Sequence, residues 1–343
     1  MTLKPSISVI MPVYNCESFI RESVESILGQ CYTDFEFIII DDASTDRTIE
    51  IIKEYDDSRI QLIIKPANTG YTDSLNMAIK LAKGRYIARM DGDDVSLAHR
   101  LAVQYDFLEK NKDVLVVGSH YKIIGTDNIV RLPVSYEEVK ITAIMHVPVA
   151  HPTVLIRMKV FNKLGLFYNK DYEPAEDYDL WCRILENGKI ENVDEVLLEY
   201  RHHDKQESRI KYDRILKVAV QTRLSQVEKL INFSGKPYDI LFAIDVLTKQ
   251  LHQTNKPTLL RIRCLLNDLY EANSIKKVYD QKLLFAYLRE RWMHHTNLYK
   301  FCHFKDISVL FSPRNYGVTK INAGYCRRKL ALIFRMTPLN RAK

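Results

Sequence analysis

Residues Arg85–Asp94, RYIARMDGDD, decide the reading of this chain: a short apolar tract runs straight into the carboxylates of Asp91, Asp93 and Asp94. Charges at the end of a buried strand are costly unless water, a counter-charge or a bound cation compensates them. A solvated turn is one solution. The other is a divalent cation with a phosphorylated ligand, because magnesium and manganese take carboxylate oxygens and let phosphates complete the shell.

Upstream, the same strand-then-acid pattern occurs once more. ISVIMPVYN (7–15) reads as a buried strand ending in a Pro-containing loop, and FEFIIIDDAS (35–44) as a second strand stopped by Asp41 and Asp42. Between them, Phe19, Ile20, Val24, Ile27 and Leu28 recur at helical spacing. STDRTIEIIKEY (44–55) predicts another helix, capped by Ser44 or Thr45, with Ile49, Ile51 and Ile52 facing inward. IQLIIK (60–65) predicts a third strand, and TDSLNMAIKLAKG (72–84) a helix closing near Gly84. This alternation argues for an α/β domain around a central, mostly parallel sheet. Ligands of such sheets gather at the carboxyl ends of the strands, where Asp41/Asp42 and Asp91/Asp93 both fall.

Downstream, HRLAVQYDFLEKN (99–111) predicts a helix, DVLVVGSHYKII (113–124) a strand, EDYDLWCRILENG (176–188) a helix with an acidic first turn, and VLLEY (196–200) a short strand before RHHDKQES (201–208). From about residue 209 the pattern becomes helical, as in 215–231, 237–253 and 258–272. The division is therefore 1–208 for an α/β domain and 209–343 for a predominantly helical region with a basic tail.

The composition is that of a soluble, globular chain: 343 residues, 46% apolar and 27% charged. Six cysteines form neither CxxC pairs nor a disulfide framework, so reduced thiols in the cytoplasm are expected. There is no signal-peptide core and no run of about 18 apolar residues. The net charge of +7 is uneven, since no acid follows Asp306 while eight Lys and Arg residues lie from Arg314 onward. YCRRKLALIFRM (325–336) mixes those charges with apolar side chains, which suits peripheral contact with an anionic membrane surface, or packing against the catalytic domain. Zinc-finger, RRM and helix-turn-helix signatures are lacking, so no nucleic-acid partner is expected.

Taken in order, SVIMPVYN, FEFIIIDDASTDRT, NTGYTDSLNMAI, GRYIARMDGDD, EDYDLWCRI and YRHHDKQES resemble a family 2 glycosyltransferase of the GT-A fold, over roughly residues 6–208. The resemblance is to enzymes of bacterial surface-polysaccharide or lipooligosaccharide synthesis. It implies inverting transfer of a hexosyl or N-acetylhexosaminyl group from a UDP-sugar, with Mn2+ or Mg2+, to a saccharide or lipid-linked saccharide. It assigns Pro12, Val13, Tyr14 and Asn15 to a donor-binding loop, Asp42 to the uracil N–H and Asp41 to support of that loop. Glu17 and Asn68 join the donor site. Asp93 is the direct metal ligand, with Asp91 on the metal indirectly or on the ribose. Asp94 is assigned to a helix cap, and Arg100 either to pairing with the acidic loop or to an exposed helix face. Asp177 is the base that takes the acceptor proton, and Glu176 orients the acceptor. His203 ligates the metal or contacts the diphosphate, with His202 as its rival, and Arg201 adds a phosphate contact or an ion pair. Trp181 and His151 are assigned to the framework. Residue by residue, ordinary turns, caps and core packing account for each of these side chains. Two alternatives stay open at this point: a nucleotide-sugar pyrophosphorylase, and a carbohydrate-binding protein without chemistry.

Overall fold

A computed structural model describes residues 4–204, 206, 211–251 and 256–298. Strand β1 (Ile7–Val13) is buried along its whole length and pairs in parallel with β2 (Phe35–Asp41) on one side. Helices α1 (Ile20–Leu28), α2 (Thr48–Lys53) and α3 (Tyr71–Leu81) make the crossovers to β2, to the edge strand β3 (Ile60–Ile64), and to β4 (Tyr86–Arg89), which lies against the other side of β1. The strands are near-continuous apolar runs because helices cover both faces. Ile10, Ile38, Ile40 and Ile87 enter one core with α3, while Val9, Met11, Phe37 and Ile39 enter the other with α1. That split follows from the two-residue period of a strand.

Past β4 the sheet becomes mixed. The two-residue strand β5 (Val95–Ser96) and helix α4 (Arg100–Lys110) lead to β6 (Val114–Ile123), on which the short β7 (Ile129–Val130) folds back. Helix α5 (Tyr136–Thr142), a 3-10 turn at His151–Thr153, β8 (Leu155–Arg157), α6 (Lys159–Asn162), α7 (Glu176–Leu185) and β9 (Lys189–Tyr200) complete the α/β part. The strand order is β3-β2-β1-β4-β8-β6-β9-β5. Strand β8 runs antiparallel to both β4 and β6, β9 runs parallel to β6, and β5 pairs antiparallel with the end of β9.

Four local expectations change. Pro12 and Val13 are strand residues opposite Ile40 and Asp41, not loop residues. Strand β9 spans 12 residues instead of five, because an irregularity between Ser119 and His120 absorbs the exposed Asp194 and Glu195 that interrupt its apolar pattern. The first turn of α2 is held by Asp46, whose Oδ1 accepts the Thr48 N–H at 3.0 Å, and not by Ser44 or Thr45. Gly84 lies beyond the end of α3 and is required by packing, since a Cβ there would come 2.6 Å from the Ser8 backbone nitrogen. Backbone cannot yield as a flexible side chain can. Gly84→Ala is therefore expected to destabilise the protein by about 1–3 kcal/mol in denaturant titration, and an unchanged midpoint would contradict this packing argument.

Helices α8 (Tyr212–Glu228), α9 (Ile240–Thr248), α10 (Lys256–Lys276) and α11 (Gln281–Leu298) build the helical region. Their shared core takes in Ile141, Ile144 and Met145 from the segment around the end of α5, so the region is seated on the α/β part. The expected boundary at 208/209 and the basic tail from Arg314 lie outside the described residues. Among the described residues no helix is long and apolar enough to cross a membrane.

Candidate active site

The carboxyl ends of β1 and β2 carry two interlocked loops. Asn15, at φ 52°, donates its N–H to Ser44 Oγ at 3.0 Å and accepts the Thr45 N–H at 2.8 Å. Glu17 accepts the Arg47 N–H at 3.0 Å and donates its own N–H to Asp46 at 3.0 Å. The Glu17 carboxylate thus stitches the loops together, which is a supporting position and not the nucleotide contact expected of it. Tyr14 is left 47% exposed over this frame, and Asn68 is also exposed. Asp41 accepts the Ser44 N–H at 2.9 Å, as expected for a loop support.

Asp42 is buried and ties down the neighbouring loop. Its Oδ1 accepts the Thr69 N–H at 3.0 Å and pairs with Lys65 Nζ at 2.5 Å, while Oδ2 accepts the Gly70 N–H at 2.9 Å. A carboxylate oxygen can accept two hydrogen bonds, so Oδ2 retains capacity for one further donor. The same loop is strapped to the segment that precedes α7. Lys170 Nζ reaches the Thr69 carbonyl at 3.1 Å and Asp73 at 2.7 Å, and Asn76 brackets the Tyr168 backbone through both amide atoms. Asn76 is thereby satisfied by its own surroundings.

The acidic loop comes next. One oxygen from each of Asp91, Asp93 and Asp94 lies within 4.8 Å of the others. Asp94 is fully buried; its Oδ1 accepts the Arg201 N–H at 2.9 Å, and its Oδ2 has no hydrogen-bond partner among the described residues. Burial, followed by the charges of Asp91 and Asp93, pushes its carboxyl well above the usual range. Three clustered carboxylates, one with a buried oxygen unsatisfied, fit a hard divalent cation by their chemistry. Asp94 does not cap α4, which begins at Arg100.

Strand β5 explains how His203 joins them. Val95 pairs with Glu199, which brings the chain after β9 back across the acidic loop. His203 Nε2 then lies 2.9 Å from Asp93 Oδ2. His202 instead meets Tyr200 edge-on at 5.5 Å, which resolves the doubled histidine. Arg201 is spent on support: Nε donates to the Asp93 carbonyl at 2.8 Å, Nη2 pairs with Glu22, and the guanidinium lies 4.9 Å from the centre of the Phe19 ring. Of its two expected roles, the geometry shows the ion pair and not the phosphate contact. Arg100 matches neither of its expectations. It is completely buried and donates to the Arg89 carbonyl at 2.7 Å, and burial followed by repulsion from Arg89 lowers its pKa to about 9.

Opposite, α7 presents Asp177 from its first turn, where Oδ1 accepts the Tyr178 N–H at 2.7 Å. Burial raises the Asp177 pKa to about 6, against the opposing effects of that hydrogen bond and of Arg89. Glu176 beside it is buried. Between the two acidic centres stands Arg89, only 4% exposed, ion-paired with Asp91 and donating to the Tyr71 hydroxyl. Tyr71 in turn donates to Asp91 at 3.3 Å. His151 bonds Tyr168 Oη at 2.8 Å and is kept neutral by burial and then by Arg89. Trp181 lies fully in the core. Arg89, Tyr71 and Tyr168 were missed as site residues. Arg89 carried a usable signal, because a charge inside an apolar strand needs a partner.

A half-parallel sheet with an acid-lined crevice at its strand ends, a histidine closing on the acids and a carboxylate of raised pKa define a nucleotide-sugar-dependent transferase of the GT-A type. The chain belongs to glycosyl transferase family 2, whose family model matches residues 8–165. It is 39% identical over 215 residues to the putative glycosyltransferase EpsE of Bacillus subtilis, covering 59% of this chain and 74% of that protein. It is 35% identical over 213 residues to WfaP of Escherichia coli, a UDP-Glc:alpha-D-GlcNAc-diphosphoundecaprenol beta-1,3-glucosyltransferase, covering 62% of this chain and 83% of the relative. The structure of S. aureus TarS 1-349 in complex with UDP-GlcNAc matches with a TM-score of 0.58 at 17% identity, over 86% of this chain and 90% of that one. Membership of the family makes the protein a glycosyltransferase and sets aside the pyrophosphorylase alternative.

Proposed function

We propose that this enzyme transfers a hexosyl or N-acetylhexosaminyl group from a UDP-sugar, with inversion, to a hydroxyl of a saccharide carried on a lipid diphosphate, in bacterial surface-glycan synthesis. The observation that carries the reading is the Asp93–His203 contact at 2.9 Å, which joins residues 110 positions apart beside two further acids. The substrates named for the Escherichia coli relative support the choice of donor and acceptor.

In this mechanism Asp42 receives the imide N–H of uracil on Oδ2, with the base against Tyr14. Asp91, Asp93 and His203 hold a divalent cation, Mn2+ or Mg2+, which when bound offsets the charge of the donor diphosphate. Arg201 and Arg89 keep the acidic loop in place without touching the donor. Asp177 accepts the proton of the acceptor hydroxyl as that oxygen attacks the anomeric carbon from the face opposite the leaving group, and Glu176 orients the acceptor. A carboxylate with a pKa of about 6 is a better proton acceptor than an ordinary aspartate and is still ionised at neutral pH.

The donor assignment predicts a preference. One remaining acceptor position on Asp42 matches the single imide N–H of uracil, whereas guanine presents two adjacent donors on a larger ring. UDP is expected to bind at least about tenfold tighter than GDP, the worth of one good charge-assisted hydrogen bond. Titration calorimetry with both nucleotides in Mn2+ buffer measures this. Equal or tighter GDP binding would remove the UDP assignment.

A further inference from the structure

A second polar centre lies where the helical region meets the loop after α5. Arg223 of α8 donates through Nε to the Met145 carbonyl at 3.0 Å. Arg291 of α11, only 5% exposed, donates through Nε to the Leu247 carbonyl at 3.0 Å and reaches His146 Nε2 at 3.5 Å. Lys249, just past α9, pairs with Glu290, which also takes Arg291 at 2.6 Å. Three cations therefore face one neighbourhood with Glu290 as the carboxylate that pairs with them. Arg223 has no carboxylate partner among the described residues, although it is partly buried.

Two details make this more than a solvated basic patch. Lys249 holds a left-handed backbone, φ 64° and ψ 29°, a conformation that glycine or asparagine adopts more cheaply. Arg291 donates to Nε2 of His146, so the ring proton resides on Nδ1, and the exposed imidazole becomes an N–H donor beside the cations. Burial, then the charges of Arg291, Arg223 and Lys249, lowers the His146 pKa to about 4, consistent with positive potential at that ring.

The position relative to the chemistry gives the ligand. Tyr178, the neighbour of Asp177, donates to the Ala143 carbonyl at 2.9 Å, and the loop continues through His146 to the 3-10 turn whose His151 contacts Tyr168. The cationic centre is thus one loop away from the base, on the side of α7 away from the acidic loop. We propose that His146, Arg223, Lys249 and Arg291 form a diphosphate-binding subsite that holds the carrier diphosphate of the acceptor while its sugar hydroxyl meets Asp177. This deepens the function proposed above and rests on it. Guanidinium groups suit the task because their planar N–H pairs match phosphate oxygens. Three cations against one carboxylate leave positive charge for an ionised diphosphate.

The test uses octyl diphosphate as the probe, titrated into the full chain with its donor site saturated by UDP. Arg223→Gln and Lys249→Gln are each expected to weaken the probe by about tenfold or more, while UDP affinity, which also reports folding, stays unchanged. Probe binding unaltered in both variants would overturn the subsite, as would the absence of saturable binding to the wild-type chain. Phosphatidylglycerol vesicles form the second arm. Variants that lose vesicle binding but retain octyl diphosphate would assign these cations to a lipid headgroup and sink the acceptor site. A chain that fails to bind UDP, yet binds the probe more weakly as Arg223→Gln, would reject the donor reading and keep the diphosphate site.

Discussion

Asp177→Asn lowers kcat by about 10²–10⁴-fold with UDP affinity retained, the range that a positioned general base contributes. The substitution keeps size and the contact to the Tyr178 N–H but removes the proton acceptor. The pH profile carries the same information. Burial raises the Asp177 pKa to about 6, so lowering pH through that value protonates the base. The wild-type kcat/KM should be flat above about pH 6 and fall roughly tenfold per unit below it. That acid limb should vanish in the residual activity of the variant. The product should have the inverted anomeric configuration. Turnover unaffected by D177N, or a retained configuration, removes Asp177 from the role of base.

Stripping divalent ions with chelator is expected to reduce transfer by about 10³-fold, since several kcal/mol of charge stabilisation are lost and each 1.36 kcal/mol is tenfold in rate. Mn2+ or Mg2+ should restore it. Asp93→Ala should resist rescue, because it removes the carboxylate that faces His203. The fold should survive the change, because Asp93 is partly exposed and the loop is still held by Arg201 through the Asp93 carbonyl and by Asp94 through the Arg201 N–H. Full turnover by metal-free protein would refute the cation assignment outright.

Much of this architecture was legible along the chain. Strand and helix periods are local properties, and each apolar run announced which faces would be covered; hence β1 to β4, α1, α3, α4 and α7 appear where their patterns predict them. The acids at the ends of β2 and β4 were visible for the same reason, because a charge that stops an apolar strand stands out in one dimension. Helix α11 was not singled out, since apolar and charged residues are interspersed all along QKLLFAYLRERWMHHTNL. Strand β9 was cut short because Asp194 and Glu195 break its alternation, and only its irregular pairing with β6 accommodates them.

What a polar side chain does was decided later. Arg201, Arg100 and Glu17 carry charges suited to a phosphate, a carboxylate or a nucleotide, and their chemistry alone does not choose among them. The choice depends on long-range register. The β5–β9 pairing places Arg201 against Asp93 and Glu22, and His203 rather than His202 against the acidic loop. Likewise, packing of α8 and α11 against the loop after α5 gathers Arg223, Arg291 and His146, which are scattered over 145 positions of the chain. Sequence by itself determined the secondary elements, the layered fold and the family chemistry, because those follow from periodicity and motif order. Tertiary structure alone decided the partners, because a hydrogen bond or ion pair is specified within an ångström and only the folded register brings distant atoms that close.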